Sequence, residues 1–160
     1  MEKDILRLLS ENGRITAAEI AERLDKSEDK IKNIIEKLES EGIIKGYKAI
    51  IGESDLPGNM VRAIIEVRIR PERDGGFNHI AERIGKFNEV VSLYLVSGGY
   101  DLQLEVQGDT LQDVAEFVSS KLATIDGVIS TATHFLLKKY KESGLILHNE
   151  EEYERLKVTP

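Results

Sequence analysis

At 160 residues, with 41% hydrophobic and 32% charged side chains, the chain has room for one medium domain or two small ones. No stretch nears the roughly 18 apolar residues that suggest a membrane span, and the first residues, MEKDILRLLSENG, lack the basic start and apolar run of a signal peptide. The absence of cysteine excludes disulfides, zinc–cysteine sites and thiol catalysis, so a cytoplasmic protein without membrane association is expected.

The net charge of −7 argues against a simple nucleic-acid binder, but the charge is unevenly spread. Residues 1–50 carry 10 Lys/Arg and 11 Asp/Glu, a net of −1, and the remainder carries −6. A local basic face is therefore still open to the first part, which reads as three helices. Asp4–Ser10 carries Ile5, Leu6, Leu8 and Leu9 and stops at Asn12-Gly13. Thr16 begins the second helix, and Glu19 three residues on completes a capping box. Ala17, Ile20, Ala21 and Leu24 form its buried side. After the Asp25-Lys26 turn, Ser27 caps a third helix, in which Ile31, Ile34, Ile35 and Leu38 make one apolar stripe at i, i+3, i+4, i+7. Gly42 ends it, and residues 43–51 read as extended. Two short helices joined by a tight turn, behind a supporting first helix, are a helix-turn-helix signature over residues 1–51.

Residues 52–60, with two glycines and a proline, read as a linker. Residues 61–142 then alternate strand and helix patterns. Val61–Arg70 places Val61, Ala63, Ile65, Val67 and Ile69 on one face. Phe77, Ile80, Ala81, Ile84 and Phe87 form a helical stripe, and Val90–Val96 is an apolar strand. Ser97–Asp101 is a turn, and Leu102, Leu104 and Val106 alternate with polar residues. Thr110 caps a helix with Leu111, Val114, Ala115, Val118, Leu122 and Ile125 inside, and Val128–Lys139 is the last strand. The βαββαβ order predicts an α+β chain whose second domain is ferredoxin-like, with two helices on one sheet face. The last strand has large or β-branched residues at both parities, so the bare face is expected to be apolar and to pair with another subunit. The tail, 143–160, reads as a solvated terminal helix or a frayed end.

Three segments carry a resemblance. Gly42-Ile43-Ile44-Lys45-Gly46-Tyr47-Lys48-Ala49 directly after the helix-turn-helix resembles the Lrp/AsnC (leucine-responsive and asparagine regulator) family. So does Gly98-Gly99-Tyr100-Asp101 between two strands. Gly127-Val128 with Thr131, Thr133, Leu137 and Lys141 is similar to that family's last strand. The resemblance covers about residues 2–142 and leaves the tail outside. It implies a transcription regulator, not an enzyme: a winged-type helix-turn-helix joined to an effector-sensing domain that forms dimers, often octamers built of four dimers. An amino acid bound between dimers would alter assembly or DNA binding.

In a helix-turn-helix the second helix of the pair enters the major groove, here Ser27–Ser40. Asp29, Lys30, Lys32, Asn33 and Lys37 lie away from or beside its apolar stripe. Asn33 suits an adenine edge and Asp29 a cytosine amino group. Lys26, Lys30, Lys32 and Lys37 suit phosphates of double-stranded DNA, and the Ser27 hydroxyl can donate to another. The family often has arginine near positions 33 and 34. This chain has Asn33 and Ile34, and no arginine between Arg23 and Arg62. Glu28 and Asp29 add negative charge where the helix should meet DNA, so a single reader is expected to bind weakly and to depend on multivalency.

For the effector, the Gly98-Gly99 turn offers backbone N–H groups to a carboxylate. Asp101 offers an anion to an ammonium, Tyr100 a wall, and Thr131 and Thr133 hydroxyls. Two other readings follow from the same residues. One is a ligand-binding oligomer without DNA binding, motivated by the acidic helix start. The other is a haem-pathway decarboxylase subunit, some of which resemble this two-domain family. His79, His134 and His148 show no metal-ligand spacing, and no P-loop or G-x-S-x-G occurs, so no cofactor is expected.

Overall fold

The structure, a computed structural model, describes residues 1–52, 58, 60–71, 73 and 76–147. Most of the linker and of the 143–160 tail, including His148 and the acidic run after Asn149, lies outside the described residues. The chain divides into two compact units, Met1–Ile50 and the residues from Ile51 onward.

In the first unit α1 spans Glu2–Glu11, α2 Ala17–Leu24 and α3 Glu28–Ser40. The capping box at the start of α2 is complete. The Thr16 hydroxyl accepts from the Glu19 N–H at 3.2 Å, and the Glu19 carboxylate accepts from the Thr16 N–H at 2.7 Å. Asp25 turns left-handed (φ 52°) behind α2, so Asp25, Lys26 and Ser27 suffice to connect it to α3. Ser27 occupies the N-cap position of α3, but its side chain makes no cap hydrogen bond. At the far end Gly42 takes φ 66°, which lets the Ile43 N–H reach the Leu38 carbonyl while the Gly42 N–H reaches that of Glu39. Ile5, Leu8, Ile15, Ile20, Ala21, Ile31 and Leu38 form the core, with Leu24, Ile34, Ile35 and Ile44 packed against it. Residues 45–50 carry neither helix nor strand, so this unit is built of helices alone among the described residues.

In the second unit β1 spans Val61–Ile69, α4 Asn78–Gly85, β2 Val90–Leu95, β3 Leu102–Gly108, α5 Leu111–Glu116 and β4 Val128–Phe135. The sheet order β2-β3-β1-β4, with every neighbouring pair antiparallel, is that of a ferredoxin-like βαββαβ unit. Ala63, Ile65, Val67 and Ile69 alternate inward along β1 and meet Leu102, Leu104 and Val106 of β3, with Ile80 and Ile84 of α4 above them. Gly127, just before β4, has φ 94°, and a Cβ there would stand 2.5 Å from Ile80 Cδ1. The backbone angle therefore demands glycine, and an added methyl would also force the Ile80 terminal methyl to shift.

Four sequence expectations are corrected. The helix after Thr110 is α-helical only to Glu116 and continues as a π-helical segment, Phe117–Leu122. The wider turn brings Phe117 and Leu122, five residues apart, to the core side together, while Leu111 and Ala115 stay exposed. Phe117 then meets Phe87 edge-to-face at 5.6 Å. The last strand ends at Phe135 rather than Lys139. Beyond it, β5 (Lys141–Glu142) and β6 (Leu145–Ile146) form a hairpin closed by Ser143 and Gly144, both at positive φ. That is the geometry a two-residue turn needs to match strand twist, so the start of the tail is a hairpin and not a helix or frayed end. Finally, the sheet face without helices is not apolar. It presents Arg62, Ile64, Glu66 and Arg68 from β1, Gln103, Glu105 and Gln107 from β3, and Ser130, Ala132 and His134 from β4. Lys139, only 15% exposed, pairs with Glu105 on this face at 3.5 Å and with Glu142 at 2.9 Å. Exposed apolar side chains lie instead at the edges and beyond β4: Tyr94, Leu95, Ile129, Leu137, Tyr140 and Ile146, with Leu137 96% exposed.

Candidate functional site

The chain offers two candidate sites, one in each unit. The first is the outer face of α3. Burial of Ile31 and Leu38 rotates the helix so that Asp29, Lys30, Lys32, Asn33 and Lys37 are all exposed, with Lys26 and Ser27 exposed on the preceding turn. The structure thus brings the seven residues onto one turn-and-helix surface, but it separates the four lysines by their partners. Lys32 Nζ lies 2.7 Å from the Glu28 carboxylate, and this hydrogen bond raises its pKa. Lys37 Nζ lies 3.0 Å from Glu2 of α1 and 3.9 Å from Glu41, and the hydrogen bond to Glu2 is the main cause of its raised pKa. Lys26 Nζ donates to the Asp25 carbonyl at 2.9 Å. These lysines look equivalent in the sequence; the approach of Glu2 depends on how α1 packs on α3, whereas Glu41 sits one turn beyond Lys37 at the end of the same helix. Arg14 on the α1–α2 turn and Lys45 and Lys48 beyond α3 add exposed cations to the same unit.

After α3, Tyr47 donates to Glu39 at 2.9 Å and packs against Gly13. Partial burial, then the Glu39 carboxylate, raises its pKa. The stretch Gly42–Ala49 is therefore tied back onto the helices by Tyr47.

The second site surrounds the turn between β2 and β3. An open cavity of about 290 Å³ is lined by Glu66, Arg68, Gly99, Tyr100, Ser130, Thr131 and Ala132. The antiparallel register sets Arg68 opposite Ser130 and Glu66 opposite Ala132, so these four residues share the sheet face away from the helices. The Arg68 Nε–H donates to the Gly99 carbonyl at 2.9 Å, and the Tyr100 hydroxyl donates to Gln103 at 3.3 Å. The Gly98 and Gly99 N–H groups have no hydrogen-bond partner among the described residues.

Asp101 acts within the fold. Its N–H donates to the Val67 carbonyl at 3.0 Å, and its Oδ2 accepts from the Ile69 N–H at 2.9 Å. Its carbonyl accepts from the Val96 N–H at 2.9 Å. It thus clasps the turn to the end of β1, where the β1–β4 register slips between Arg68 and Ile69. Thr131 and Thr133 stand opposite Val67 and Ile65, half-buried on the helix-covered side of the edge strand. Thr131 reaches the cavity rim, and Thr133 does not line it. Glu66 and Arg68 were missed from the sequence because strand parity shows that they face outward but not which strand lies beside them. No cluster of metal-ligating side chains occurs among the described residues, and none of their helices is long and apolar enough to cross a membrane.

Comparison with known proteins gives two family matches. Residues 1–45 match a winged helix-turn-helix DNA-binding model, and residues 62–146 match the Lrp/AsnC ligand binding domain. The chain is 44% identical over 160 residues to the HTH-type transcriptional regulator YugG of Bacillus subtilis, covering 99% of this chain and 96% of that protein. That alignment takes in the tail, which the three motifs had left outside. The chain is 34% identical to the HTH-type transcriptional regulator LrpA of Pyrococcus horikoshii, covering 88% of this chain and 96% of that protein. A transcriptional regulator of Neisseria meningitidis, solved as a complex with L-methionine, superposes with a TM-score of 0.65 at 29% identity, over 88% of this chain and 90% of that one.

Proposed function

Because this chain belongs to the Lrp/AsnC family of helix-turn-helix transcription regulators, we propose that α3 reads its DNA site and that the turn between β2 and β3 receives its effector. The chain is a DNA-binding transcription regulator with a ligand-binding domain, not an enzyme. The observation that carries the DNA assignment is the outer face of α3, which holds Lys30, Lys32, Asn33 and Lys37 exposed while Ile31 and Leu38 seal the opposite side. Asn33 meets an adenine edge and Asp29 a cytosine amino group. Lys26, Lys30, Lys32 and Lys37 meet phosphates, and the uncapped Ser27 hydroxyl is available to donate to another.

Electrophoretic mobility shift on the DNA upstream of the protein's own gene, at two salt concentrations, tests this reading. Salt-sensitive, sequence-dependent retardation that disappears in the Lys30→Glu/Lys32→Glu double variant is expected. No retardation at low salt would leave a ligand-binding oligomer that does not read DNA.

The effector is an amino acid or a close relative. The methionine bound in the Neisseria regulator's structure supports this, as do the unpartnered N–H groups of Gly98 and Gly99. Tyr100 walls the site, Asp101 fixes the turn, and Thr131 and Thr133 belong to the strand beside it. The protein works in the cytoplasm as a homodimer, and dimers gather into an octamer. Support for pairing comes from the apolar side chains exposed beyond β4, Leu137, Tyr140, Leu145 and Ile146, whose exposure is costly until another surface covers them.

A further inference from the structure

The effector cavity contains a cation and an anion placed two residues apart on β1, Arg68 and Glu66. We propose that these two side chains hold the charged ends of the effector, and that the effector is an α-amino acid with a short or polar side chain. The inference rests on the effector reading given above and makes it specific.

Residues i and i+2 of a strand stand roughly 7 Å apart on one face. A zwitterionic head group with one hydrogen bond at each end, of about 2.8 Å apiece, spans a similar distance. The Arg68 Nε–H is occupied by the Gly99 carbonyl, which fixes the plane of the guanidinium and leaves its terminal N–H groups for a carboxylate. The Gly98 and Gly99 N–H groups add neutral donors beside it. Glu66, whose carboxylate also lies 3.6 Å from His134 Nε2, takes the ammonium with its remaining acceptor capacity. Asp101 is poorly suited to that task because its carboxylate already accepts from the Ile69 N–H. The remaining walls are Ser130, Ala132, Thr131 and the Tyr100 ring. No Leu, Ile, Val, Phe or Met lines the cavity, so a long aliphatic side chain would gain little from burial there. A small or hydrogen-bonding side chain loses nothing.

Isothermal titration calorimetry on the full-length protein tests the assignment with alanine, serine, asparagine, leucine and methionine, and with lactate as the hydroxy analogue of alanine. The expected order places alanine, serine or asparagine at least tenfold tighter than leucine or methionine. Arg68→Gln should weaken the best ligand at least tenfold, whereas Arg68→Lys, which keeps the charge, should retain part of the binding. Glu66→Gln should collapse the preference for alanine over lactate from tenfold or more to about one. Thermal melts of each variant verify the fold. Tighter binding of leucine or methionine overturns the ligand class. Unchanged affinity in Arg68→Gln, or an unchanged alanine-to-lactate ratio in Glu66→Gln, overturns the residue assignment while leaving an effector in place. A wild-type protein that binds none of the twenty amino acids overturns the effector reading itself.

Discussion

The lysines of the reading helix are alike in type and unlike in circumstance. Glu28 neutralises Lys32, and Glu2 with Glu41 neutralises Lys37, whereas Lys30 has no such partner among the described residues. Exposed pairs of this kind are weak, so a phosphate can displace them. The carboxylate then remains near the DNA and opposes binding. Glu28→Gln should therefore tighten DNA binding roughly 3- to 10-fold at low salt and steepen the salt dependence by about one counterion; fluorescence anisotropy across a salt series measures both. Reduced affinity in that variant would contradict the attenuating role. Two carboxylates outside this face give a pH prediction. The Lys121 ammonium holds Glu89 below its usual 4.5, and the Thr16 N–H does the same for Glu19. A carboxyl lowered in the folded state contributes stability that is complete above about 4.5 and is lost as pH falls through the lower folded value. As pH falls from about 4.5 through that lower value, the melting temperature of the Glu19→Gln/Glu89→Gln variant should decline less steeply than that of the wild type. At this scale the sequence showed which residues point outward on α3 and β1. Glu2 beside Lys37 and the Gly99 carbonyl beside Arg68 were not legible, because both come from elements distant in the chain.

At the scale of elements, local signals carried most of the fold. The Thr16–Glu19 capping box, the Thr110 cap, the Gly42 stop and the alternation along β1 and β3 all correspond to observed elements. The π-helical segment escaped because periodicity analysis assumes one helical pitch, and Phe117 fits the core only with the wider turn. The β5–β6 hairpin escaped because its strands are two residues each, too short for alternation to register. The polar character of the bare sheet face was misjudged because β4 is an edge strand, where Thr131, Thr133 and Phe135 share the helix-covered side without full burial. The close fit at Gly127 yields a direct prediction. Gly127→Ala combines a strained backbone angle with a clash against Ile80, and should cost about 2–4 kcal/mol. Gly85→Ala, where the added methyl would meet Leu93 at an ordinary 3.6 Å, should be nearly neutral. Chemical denaturation of the two variants side by side checks the contrast, and equal losses would contradict it.

At the scale of the whole molecule, the charge balance and the exposed apolar residues point the same way. A first part with a net charge of −1 offers few net phosphate contacts, which fits the proposal that affinity comes from linking several readers. In the proposed assembly the exposed apolar residues beyond β4 would link them. Leu137→Glu should leave each subunit folded by circular dichroism, dissociate the oligomer in analytical ultracentrifugation, and weaken DNA binding tenfold or more. An intact oligomer in that variant would move the subunit contact elsewhere. The family assignment rested on short motifs in the right order, and the alignment with the Bacillus regulator extends it through the tail.

The position of β1 at the centre of its sheet also governs the order in which the protein is made. β1 is complete early, yet one of its two neighbours is β4, the last strand of the sheet to be synthesised. The first unit has no such wait, since its helices pack on close neighbours in sequence and such contacts form fast. On the ribosome the folded first unit therefore emerges well before the sheet of the second unit can close. If that reader holds DNA weakly until it is paired, as proposed, the unfinished chain passes by the promoter and occupancy begins only when synthesis has ended.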